Sequence, residues 1–390
     1  MMSNYYVRQV GATVHKRDER LIVTKDDRQV DEIPLHRLDQ LVVMGDVQVT
    51  TQAMGLLFRR GVDVVLMTRG GRVLGRVVAN ESRYAELRLR QYQTLSDPER
   101  SRQIAQQIVA GKLINQLAVL QQRGLGSVSV VAASGRGVAL LPDPVLQARA
   151  YSTALSGIRE MLARTPLATD RDTLMGFEGK AAAWYWPAFR LLMKDDMGFR
   201  NRIYYPPTDP INALLSFGYA LLQKDVLAAI QVIGLDPYLG CFHTVQYGRP
   251  SLALDVMEEF RPVMVDALVL GLVNGRVVRR GDFVRGAASS TSTSTSTSTS
   301  TIPSTLASGG NEGVVAQPAG RGLGTRMNDA ALRQVILAYE TRAASSVVYP
   351  RTGEQTTLRR CIELQVRRLA RVLKGEEGDY GPFVAVAEGR

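Results

Sequence analysis

The sequence contains few of the residues that most often build structural metal sites and disulfide frameworks. Its 390 residues include two cysteines and three histidines. Cys241 and Cys361 lie far apart and form no CxxC pair, which argues against both a zinc knuckle and a set of disulfides. We therefore expect both cysteines to be buried free thiols in a protein of a reducing compartment.

Long hydrophobic runs are also scarce. The N-terminal segment MMSNYYVRQV has no apolar stretch of the kind that a signal peptide requires. The longest apolar runs, such as ALLSFGYALL, fall short of the roughly 20 residues that a membrane-spanning helix needs. These two absences predict a cytoplasmic protein without a membrane partner.

Acidic residues are outnumbered, and the chain is strongly basic. Its 48 lysines and arginines exceed its 37 aspartates and glutamates, which gives a formal net charge of +11. Such an excess favours a polyanionic partner, nucleic acid first and an anionic membrane second. Because charge alone is a weak indicator, a basic protein with no charged ligand is the alternative.

Arginine is dense in residues 355–374, QTTLRRCIELQVRRLARVLK. Apolar residues recur there at helical spacing, so we expect a buried stripe with most of the arginines on the exposed sides. Guanidinium groups match phosphate geometry, and the tyrosines of another arginine-containing stretch, RNRIYYPP, could stack on unpaired bases. The alternative for each stretch is an ordinary solvated face.

The spacing of apolar residues in the sequence changes near residue 80. In residues 1–81, short β-branched runs alternate with charged turns, which predicts antiparallel hairpins and one helix that begins after Thr50 or Thr51 and stops at Gly61. In residues 82–390, apolar residues recur mainly at helical spacing. The sequence therefore predicts a multidomain α+β fold, with a small β-rich N-terminal domain followed by a larger all-α domain.

Residues from about 286 to 324 belong to neither pattern. They include the tract SSTSTSTSTSTST and are nearly free of large apolar side chains. Such a segment cannot bury enough surface to offset the entropy lost on ordering. We expect a disordered insertion between helices of the second domain.

The stretch GCFHTVQYGRPSLALDVMEEFRP, residues 240–262, places possible metal ligands in apolar company. Asp255 and Glu258 are three apart, so a helix would put them on one face. His243 precedes the break at Pro250 and could fold back over that helix. A set of one histidine with two or three carboxylates suits Mn²⁺ or Mg²⁺, which can polarise a phosphoryl oxygen and activate a hydroxyl or water.

These residues also have structural interpretations. A lone histidine is most often a core or surface residue. Asp255 could pair with Arg249, and Glu258 and Glu259 could form a solvated helix face. Spacing and periodicity therefore permit a metal site without establishing one.

Two other stretches combine polar and apolar residues. Glu178, in GFEGKAAAWYW, could be a carboxylate at the start of a helix that the macrodipole favours. Asp209 precedes Pro210 in DPINALLSFGYALL and is a typical N-cap, and Asn212 could bond to local backbone.

These stretches together resemble a known family, the CRISPR-associated integrase, which is the catalytic subunit of the complex that inserts new spacers. The resemblance covers nearly the whole chain, including the β-rich half through EIPLHRLDQLVVMGDVQVTTQAMGLLFRRGVDVVLM. In the helical half it rests on four stretches in the family's order: GFEGKAAAWYW, DPINALLSFGYALL, GLDPYLGCFHTVQYGRPSLALDVMEEFRP, and CIELQVRRLARVLKG with DYGPF after it.

The resemblance assigns roles to particular residues. It implies that Glu178, His243 and Glu258 are the catalytic residues and the ligands of a Mg²⁺ or Mn²⁺ ion. It implies Asp255, one turn before Glu258, as a supporting acid. Asn212 and Tyr219 are further supporting residues near the pocket. The Ser-Thr tract departs from the family, whose members usually have a shorter connection there.

The resemblance also implies a reaction and partners. The 3′ hydroxyl of a captured double-stranded DNA fragment attacks a phosphodiester at the edge of a CRISPR repeat, and metal-dependent nicking of DNA is the same chemistry with water. The β-rich domain would form a homodimer, and a small ferredoxin-like subunit would bridge two dimers. A catalytically inactive DNA-binding scaffold and a transposon-encoded integrase of the same fold are the alternatives.

Overall fold

The structure is a computed structural model that describes residues 3–33, 35, 38–77, 84–134, 144–286 and 324–385. The predicted boundary between residues 81 and 82 lies outside the described residues, and so does nearly all of the predicted insertion. The last strand before the boundary is β8 (Val73–Val77), and the first helix after it is α2 (Ala85–Ser96). A strand-rich part is therefore followed by a helical part, as the sequence predicts.

The N-terminal part consists of two four-stranded sheets and one helix. One sheet has the strand order β1-β5-β7-β8, and the other has the order β4-β3-β2-β6. These elements are β1 (Ser3–Val7), β2 (Thr13–Arg17), β3 (Arg20–Lys25), β4 (Arg28–Ile33), β5 (Leu38–Met44), β6 (Gln48–Val49), α1 (Thr51–Arg59), β7 (Asp63–Met67) and β8.

Strand pairing in this part is mixed, whereas the sequence predicted antiparallel hairpins. Hairpins are present between β2, β3 and β4 and between β7 and β8. However, β5 lies parallel to both β1 and β7. The reason for the second parallel pair is that α1 lies between β5 and β7, and a helical crossover returns the chain in the same direction.

Helix α1 begins and ends as predicted. The Thr50 hydroxyl accepts a hydrogen bond from the Ala53 N–H at 3.3 Å, which satisfies one of the free donors at the helix start. Gly61 follows the helix with a φ of +69°, a conformation that glycine adopts without steric penalty. Leu56 and Leu57 point into the small core between α1 and the sheets.

The C-terminal part is predominantly helical, and its large core is continuous with one face of the β1-β5-β7-β8 sheet. Both cysteines are buried free thiols, as predicted. The remaining helices are α3 (Pro98–Ser134), α4 (Pro144–Arg164), α5 (Arg171–Leu191), α6 (Pro210–Ile233), α7 (Ser251–Phe260), α8 (Ala267–Asn274), α9 (Asp329–Ala343) and α10 (Leu358–Lys374).

Two short hairpins interrupt these helices, so this part is not purely α-helical as predicted. β9 (Phe283–Gly286) pairs with β10 (Gly324–Met327), and β11 (Ser346–Val348) pairs with β12 (Gln355–Thr357). In the first hairpin, Gly286 and Gly324 are register partners. The chain therefore leaves and re-enters the helical part at one point, which allows an insertion there without rearranging the helices.

Helix α6 satisfies the length and composition of a membrane-crossing helix, which counting short apolar runs did not reveal. Within the described residues it is the one helix that does so, and 67% of its apolar window is buried inside the fold. A buried core helix passes the same test, so this finding is weak evidence for a membrane span.

A buried network of charges joins β1 to the helices. Asp225 of α6 accepts hydrogen bonds from Lys224 at 2.5 Å and from Arg359 at 3.2 Å, and Arg359 also bonds Glu340 at 2.8 Å. The Tyr6 hydroxyl of β1 donates to Glu340 at 2.6 Å. We call Tyr6, Lys224, Asp225, Glu340 and Arg359 the interdomain network.

Candidate functional site

Asp255 of α7 organises the loop that carries His243. Its carboxylate accepts the backbone N–H groups of Cys241, Phe242 and His243 at 2.6, 3.0 and 2.8 Å. It also lies 2.7 Å from His243 Nδ1. Because a carboxylate accepts, Nδ1 carries the proton, and the Nε2 lone pair faces away from Asp255.

The close approach of this loop to α7 depends on Gly240. A Cβ atom at this position would lie 2.4 Å from Asp255 Oδ2 and 2.7 Å from the Ser251 carbonyl carbon. No side chain fits there, so the sequence GCFH begins with the residue that this packing requires.

Glu258 lies one turn after Asp255 on the same face of α7. Its Oε1 is 3.8 Å from His243 Nε2 and 3.2 Å from Arg261 Nε, and its side chain is 2% exposed. Burial alone would raise the pKa of this carboxyl, but the charges of Arg261, Lys112 and His243 outweigh burial and lower the pKa to about 2. Glu258 is therefore ionised at neutral pH.

Glu178 approaches the same place from α5. Lys112 Nζ lies 2.5 Å from Glu178 Oε1 and 2.6 Å from Glu258 Oε2, so both carboxylates contact one ammonium nitrogen. The N-cap of α5 is Asp170, which places Glu178 beyond the first turn. The interpretation of Glu178 as a helix-start carboxylate is therefore wrong, because the macrodipole acts within the first turn.

The structure thus brings together Glu178, His243 and Glu258, with Asp255 behind the imidazole. We call Lys112, Glu178, His243 and Glu258 the carboxylate cluster. In the ranges that the structure describes, no group of three His, Cys, Asp or Glu side chains meets the distances of a metal site as it stands. The ammonium of Lys112 lies against both carboxylates.

The donor set of the carboxylate cluster fits a divalent cation. Glu178 and Glu258 supply the oxygen ligands that Mg²⁺ and Mn²⁺ prefer. His243 Nε2 and Glu258 Oε1 are two acceptors that face each other, which is favourable when a cation lies between them. The bond from His243 Nδ1 to Asp255 is the arrangement that orients metal-binding histidines.

A pocket opens next to the carboxylate cluster. Two of its polar groups have contrasting surroundings: Asp266 accepts hydrogen bonds from Tyr185 and Tyr219 at 2.7 and 2.5 Å, whereas Gln116 Oε1 is buried without a hydrogen-bond partner. Burial raises the pKa of Asp266 to about 6, although both tyrosines and nearby cations act to lower it. The pocket is lined by Lys112, Gln116, Glu178, Ala182, Trp186, Tyr219, Arg261 and Asp266.

The two predicted supporting residues of α6 lie in different places. Tyr219 lines the pocket, and the guanidinium carbons of Arg261 and Arg202 lie 4.7 and 5.4 Å from the centre of its ring. Asn212 bonds instead to the backbone of Asn201 and Ile203, at 2.9 and 2.8 Å. Asn212 therefore shapes the neighbouring loop, and Asp209 caps α6 as predicted.

Glu259 is buried, so the interpretation of Glu258 and Glu259 as a solvated face is wrong. The Glu259 carboxyl accepts hydrogen bonds from the Tyr380 hydroxyl and the Phe383 N–H, both at 2.5 Å. Burial raises its pKa to about 8 against the effect of these bonds. The C-terminal segment around Tyr380–Phe383 therefore packs directly behind the helix that carries Glu258.

The arginines of α10 are already engaged by other groups of the chain. Arg360 and Arg367 pair with Glu363, and Arg368 and Arg371 pair with Glu377. The predicted apolar stripe of Leu358, Ile362, Leu369 and Leu373 is buried, as expected. The prediction that these arginines form an open phosphate-binding face is weakened, because two carboxylates offset half of the charge of these four arginines.

Sequence reasoning missed Lys112, Gln116 and Asp266. In GKLINQLAVL the lysine and glutamine are one turn apart on a helix that is otherwise largely apolar. Charged and amide side chains at positions that the apolar pattern assigns to the interior are the signal that could have identified the lysine and the glutamine.

Comparison with known families agrees with this architecture. Residues 5–301 match the family model described as CRISPR associated protein Cas1. An endonuclease named Cas1 2 from Rhodospirillum rubrum is 33% identical over 387 residues, which cover 98% of each chain. A Cas4/Cas1 fusion from Geobacter sulfurreducens is 31% identical over 97% of this chain, which spans 60% of the fusion.

Solved structures share the fold. A casposase bound to its integration product has a TM-score of 0.73 and 21% identity, with 97% of this chain and 93% of that chain covered. A Cas1 protein from Thermotoga maritima has a TM-score of 0.70 and 22% identity, with 99% and 100% covered. A chain of a Cas6-RT-Cas1–Cas2 complex has a TM-score of 0.73 and 21% identity, with 100% of this chain and 36% of that chain covered. Because the family model spans most of the sequence and a full-length relative is one-third identical, the chain belongs to the CRISPR-associated Cas1 family.

Proposed function

We propose that this protein is a divalent-metal-dependent DNA endonuclease and integrase that inserts new spacers into a CRISPR array. The observation that carries the proposal is the convergence of Glu178, His243 and Glu258 from three separate segments, with Asp255 fixing the imidazole. Buried acids and an oriented imidazole are costly to assemble for packing alone. Relatives named Cas1 endonucleases support the nuclease part of the proposal.

Each residue of the site has a defined task in this proposal. Glu178, Glu258 and His243 Nε2 would hold one Mg²⁺ or Mn²⁺ ion. When bound, the ion supplies Lewis-acid stabilisation of charge on the scissile phosphate. Asp255 keeps the proton on His243 Nδ1, so that Nε2 stays available as a ligand. Burial of Glu258 keeps water away and strengthens its interaction with a cation.

The reaction would be an in-line displacement at a phosphodiester of the repeat. The 3′ hydroxyl oxygen of the captured fragment gives up its proton and bonds to phosphorus. The bond from phosphorus to the repeat's own 3′ oxygen breaks, and that oxygen takes up a proton, so that the reaction exchanges one phosphodiester and one hydroxyl for another pair. Hydrolytic nicking replaces the 3′ hydroxyl with water. Arg261 contacts Glu258, and its guanidinium lies over the ring of Tyr219 at the pocket. From this position Arg261 can stabilise charge on the phosphate oxygens.

The partners follow from charge and from the relatives. A net charge of +11 suits a protein that binds double-stranded DNA, namely the captured fragment and the CRISPR repeat. A solved Cas1–Cas2 complex supports a small companion subunit, for which we infer a ferredoxin-like fold, and we infer a homodimer through the β-rich part. We place the protein in the cytoplasm, where its DNA is found.

Exposed aromatic residues offer a second kind of DNA contact near the pocket. Tyr204 and Tyr205 are 41% and 67% exposed. Arg202, beside them in the chain, packs on the rings of both Tyr204 and Tyr219. Stacking of unpaired bases on Tyr204 and Tyr205 would bring a strand end towards the carboxylate cluster.

The test is a strand-transfer assay with a repeat-containing plasmid and a duplex fragment, with and without a chelator. Product should form with Mn²⁺ or Mg²⁺, should vanish with the chelator, and should vanish in Glu178→Ala while DNA binding persists. Glu160→Gln, an exposed acid on the adjacent helix α4, is the matched control and should behave as wild type. Strand transfer that survives Glu178→Ala would support an alternative chemistry, and absence of transfer in the wild type would support a binding scaffold.

A transposon-end integrase is the second candidate, and the casposase match favours it. The same assay separates the two when the donor or target is varied. A protein of CRISPR adaptation should insert preferentially at repeat edges, whereas a transposon integrase should require the end sequence of its own element. A repeat-spacer array beside the gene would favour the first.

A further inference from the structure

Lys112 occupies an unusual position for a lysine. Its side chain is 7% exposed, and its ammonium contacts Glu178 at 2.5 Å and Glu258 at 2.6 Å. These are the two carboxylates that would hold the metal ion in the proposed function. A divalent cation and an ammonium that need the same carboxylate oxygens compete for them.

The pocket next to Lys112 contains a second set of acceptors. Gln116 lies one turn further along α3 and lines the same pocket as Lys112 and Asp266. Its Oε1 atom is buried without a hydrogen-bond partner, and the residue is 2% exposed. Leaving a buried amide oxygen unsatisfied is unfavourable, so this atom indicates a donor that reaches it in another state of the site.

We propose that Lys112 is a positioning residue that exchanges with the metal ion. Without the ion, its ammonium holds Glu178 and Glu258 towards a common point. When the ion binds, the ammonium moves along the pocket to Gln116 Oε1, with Asp266 close by. This inference rests on the proposed metal site, and it adds that Lys112 and Gln116 together set the metal affinity.

The ammonium of Lys112 needs other acceptors when an ion takes its carboxylates. A buried ammonium that loses two carboxylates is strongly destabilised unless it finds other acceptors. Residues one turn apart on a helix are neighbours, so a lysine side chain can reach Gln116 without movement of the backbone. Lys112 would therefore lower the affinity for the ion, and Gln116 would recover part of that loss.

The experiment is a calorimetric titration of Mn²⁺ into the metal-free full-length protein. Lys112→Met should bind Mn²⁺ about tenfold more tightly or better, because the competing charge is gone while the apolar stem is kept. Gln116→Leu should bind Mn²⁺ about tenfold more weakly, because the displaced ammonium loses its acceptor. In the double variant, Gln116→Leu should have no further effect, since no ammonium remains to be received.

A thermal melt gives a second readout that a merely structural lysine would not produce. In EDTA, Lys112→Met should melt below wild type, because two carboxylates lose their counter-charge. Saturating Mn²⁺ should raise its melting temperature by more than it raises that of wild type. Lys180→Met, which removes an exposed lysine two residues from Glu178, is the control and should change neither the melt nor the Mn²⁺ affinity appreciably.

The outcomes separate the two proposals. If wild type binds Mn²⁺ but Lys112→Met binds it equally or more weakly, the exchange is wrong and the metal site stands. If Gln116→Leu has the same effect with and without Lys112, the role of Gln116 as acceptor is wrong. If neither wild type nor Lys112→Met binds Mn²⁺, the proposed metal site and the exchange both fail.

Discussion

Two buried clusters of charge in the described part of the chain, the interdomain network and the carboxylate cluster, differ in how their charges are paired. In the interdomain network, the acids Asp225 and Glu340 are matched by the bases Lys224 and Arg359. Both oxygens of Asp225 accept hydrogen bonds. None of the buried side-chain nitrogen and oxygen atoms of this network is left without a hydrogen-bond partner.

The carboxylate cluster differs from this network in how its carboxylates are paired and in how completely the adjoining polar groups are hydrogen-bonded. Glu178 and Glu258 share one ammonium, that of Lys112, and Glu258 also contacts the guanidinium of Arg261. The adjoining pocket also contains the unsatisfied Gln116 oxygen. Two carboxylates that share one ammonium, next to an unused acceptor, indicate a place where charged groups exchange, whereas a fully paired network indicates a structural role.

The largest expected effect is on activity and comes from Glu178→Gln. We expect strand transfer to fall by about a thousandfold, because one ligand of the ion is lost while the side-chain shape is kept. The melting temperature should change little, since Glu178 is the more exposed of the two carboxylates. Gel analysis of the transfer product checks the first expectation, and a melt in EDTA checks the second.

The opposite pattern is expected for Asp225→Asn. Removing one charge from the interdomain network leaves Lys224 and Arg359 buried and undercompensated, which should lower the free energy of unfolding by about 3 kcal/mol. Urea denaturation measures this loss. Under conditions in which the variant remains folded, strand transfer per folded molecule should be close to wild type. A thousandfold loss would show that the interdomain network is as important for activity as the carboxylate cluster.

A smaller effect is expected from Asp255→Asn, which acts through His243. The amide can donate to Nδ1, so the ring can place its proton on Nε2, where it blocks metal binding. We expect Mn²⁺ affinity to fall by about 10- to 100-fold. Calorimetry measures the affinity, and an unchanged value would mean that the imidazole is not a ligand.

The pH dependence of stability sharpens the comparison further. The pKa of Glu259 is raised from 4.5 to about 8, so the folded state retains a proton that the unfolded state has lost. Stability should therefore fall as pH rises from about 5 to 8. Asp266 acts in the same direction but only up to pH 6, because its pKa is about 6.

Glu259→Gln tests this assignment, because the amide does not titrate. The variant should lose less melting temperature than wild type between pH 6 and 8, where the Asp266 contribution is already complete. An equal slope in the two proteins would contradict the assignment to Glu259. Glu258 works in the other direction: its contribution is present above pH 4.5 and is lost as pH falls towards 2.

The smallest effect is expected from deletion of residues 288–310. These residues lie between Gly286 and Gly324, which are partners in one hairpin and lie outside both clusters. Metal-dependent strand transfer should remain within about twofold of wild type, because loops between paired strands tolerate changes of length. Loss of folding on deletion would show that the tract has a structural role.

The sequence predicted the local features of the fold well. The Thr50 cap of α1, the Asp209 cap of α6 and the buried stripe of α10 each depend on residues a few positions apart. The parallel pairing of β5 with β1 was missed, because the sequence of one strand alone does not specify which distant strand it pairs with or in which register.

The candidate site shows the same division between local features, which the sequence predicted, and contacts between distant segments, which it did not. Residue spacing placed Asp255 and Glu258 on one face with His243 able to fold back over them, and resemblance to a family gave Glu178 its role as a ligand. Lys112 and the C-terminal segment at Tyr380 were missed, because their roles depend on contacts across long stretches of chain. A buried lysine in an apolar helix marks an unusual position but does not name its partners.

The most direct measurement of the central claim is an anomalous difference map from crystals grown with Mn²⁺. We expect one strong peak per chain, about 2.0–2.6 Å from a Glu178 oxygen, a Glu258 oxygen and His243 Nε2. We also expect the peak to disappear in Glu178→Gln crystals. A peak elsewhere, or no peak at saturating Mn²⁺ with Lys112 still bound to both carboxylates, would contradict the account.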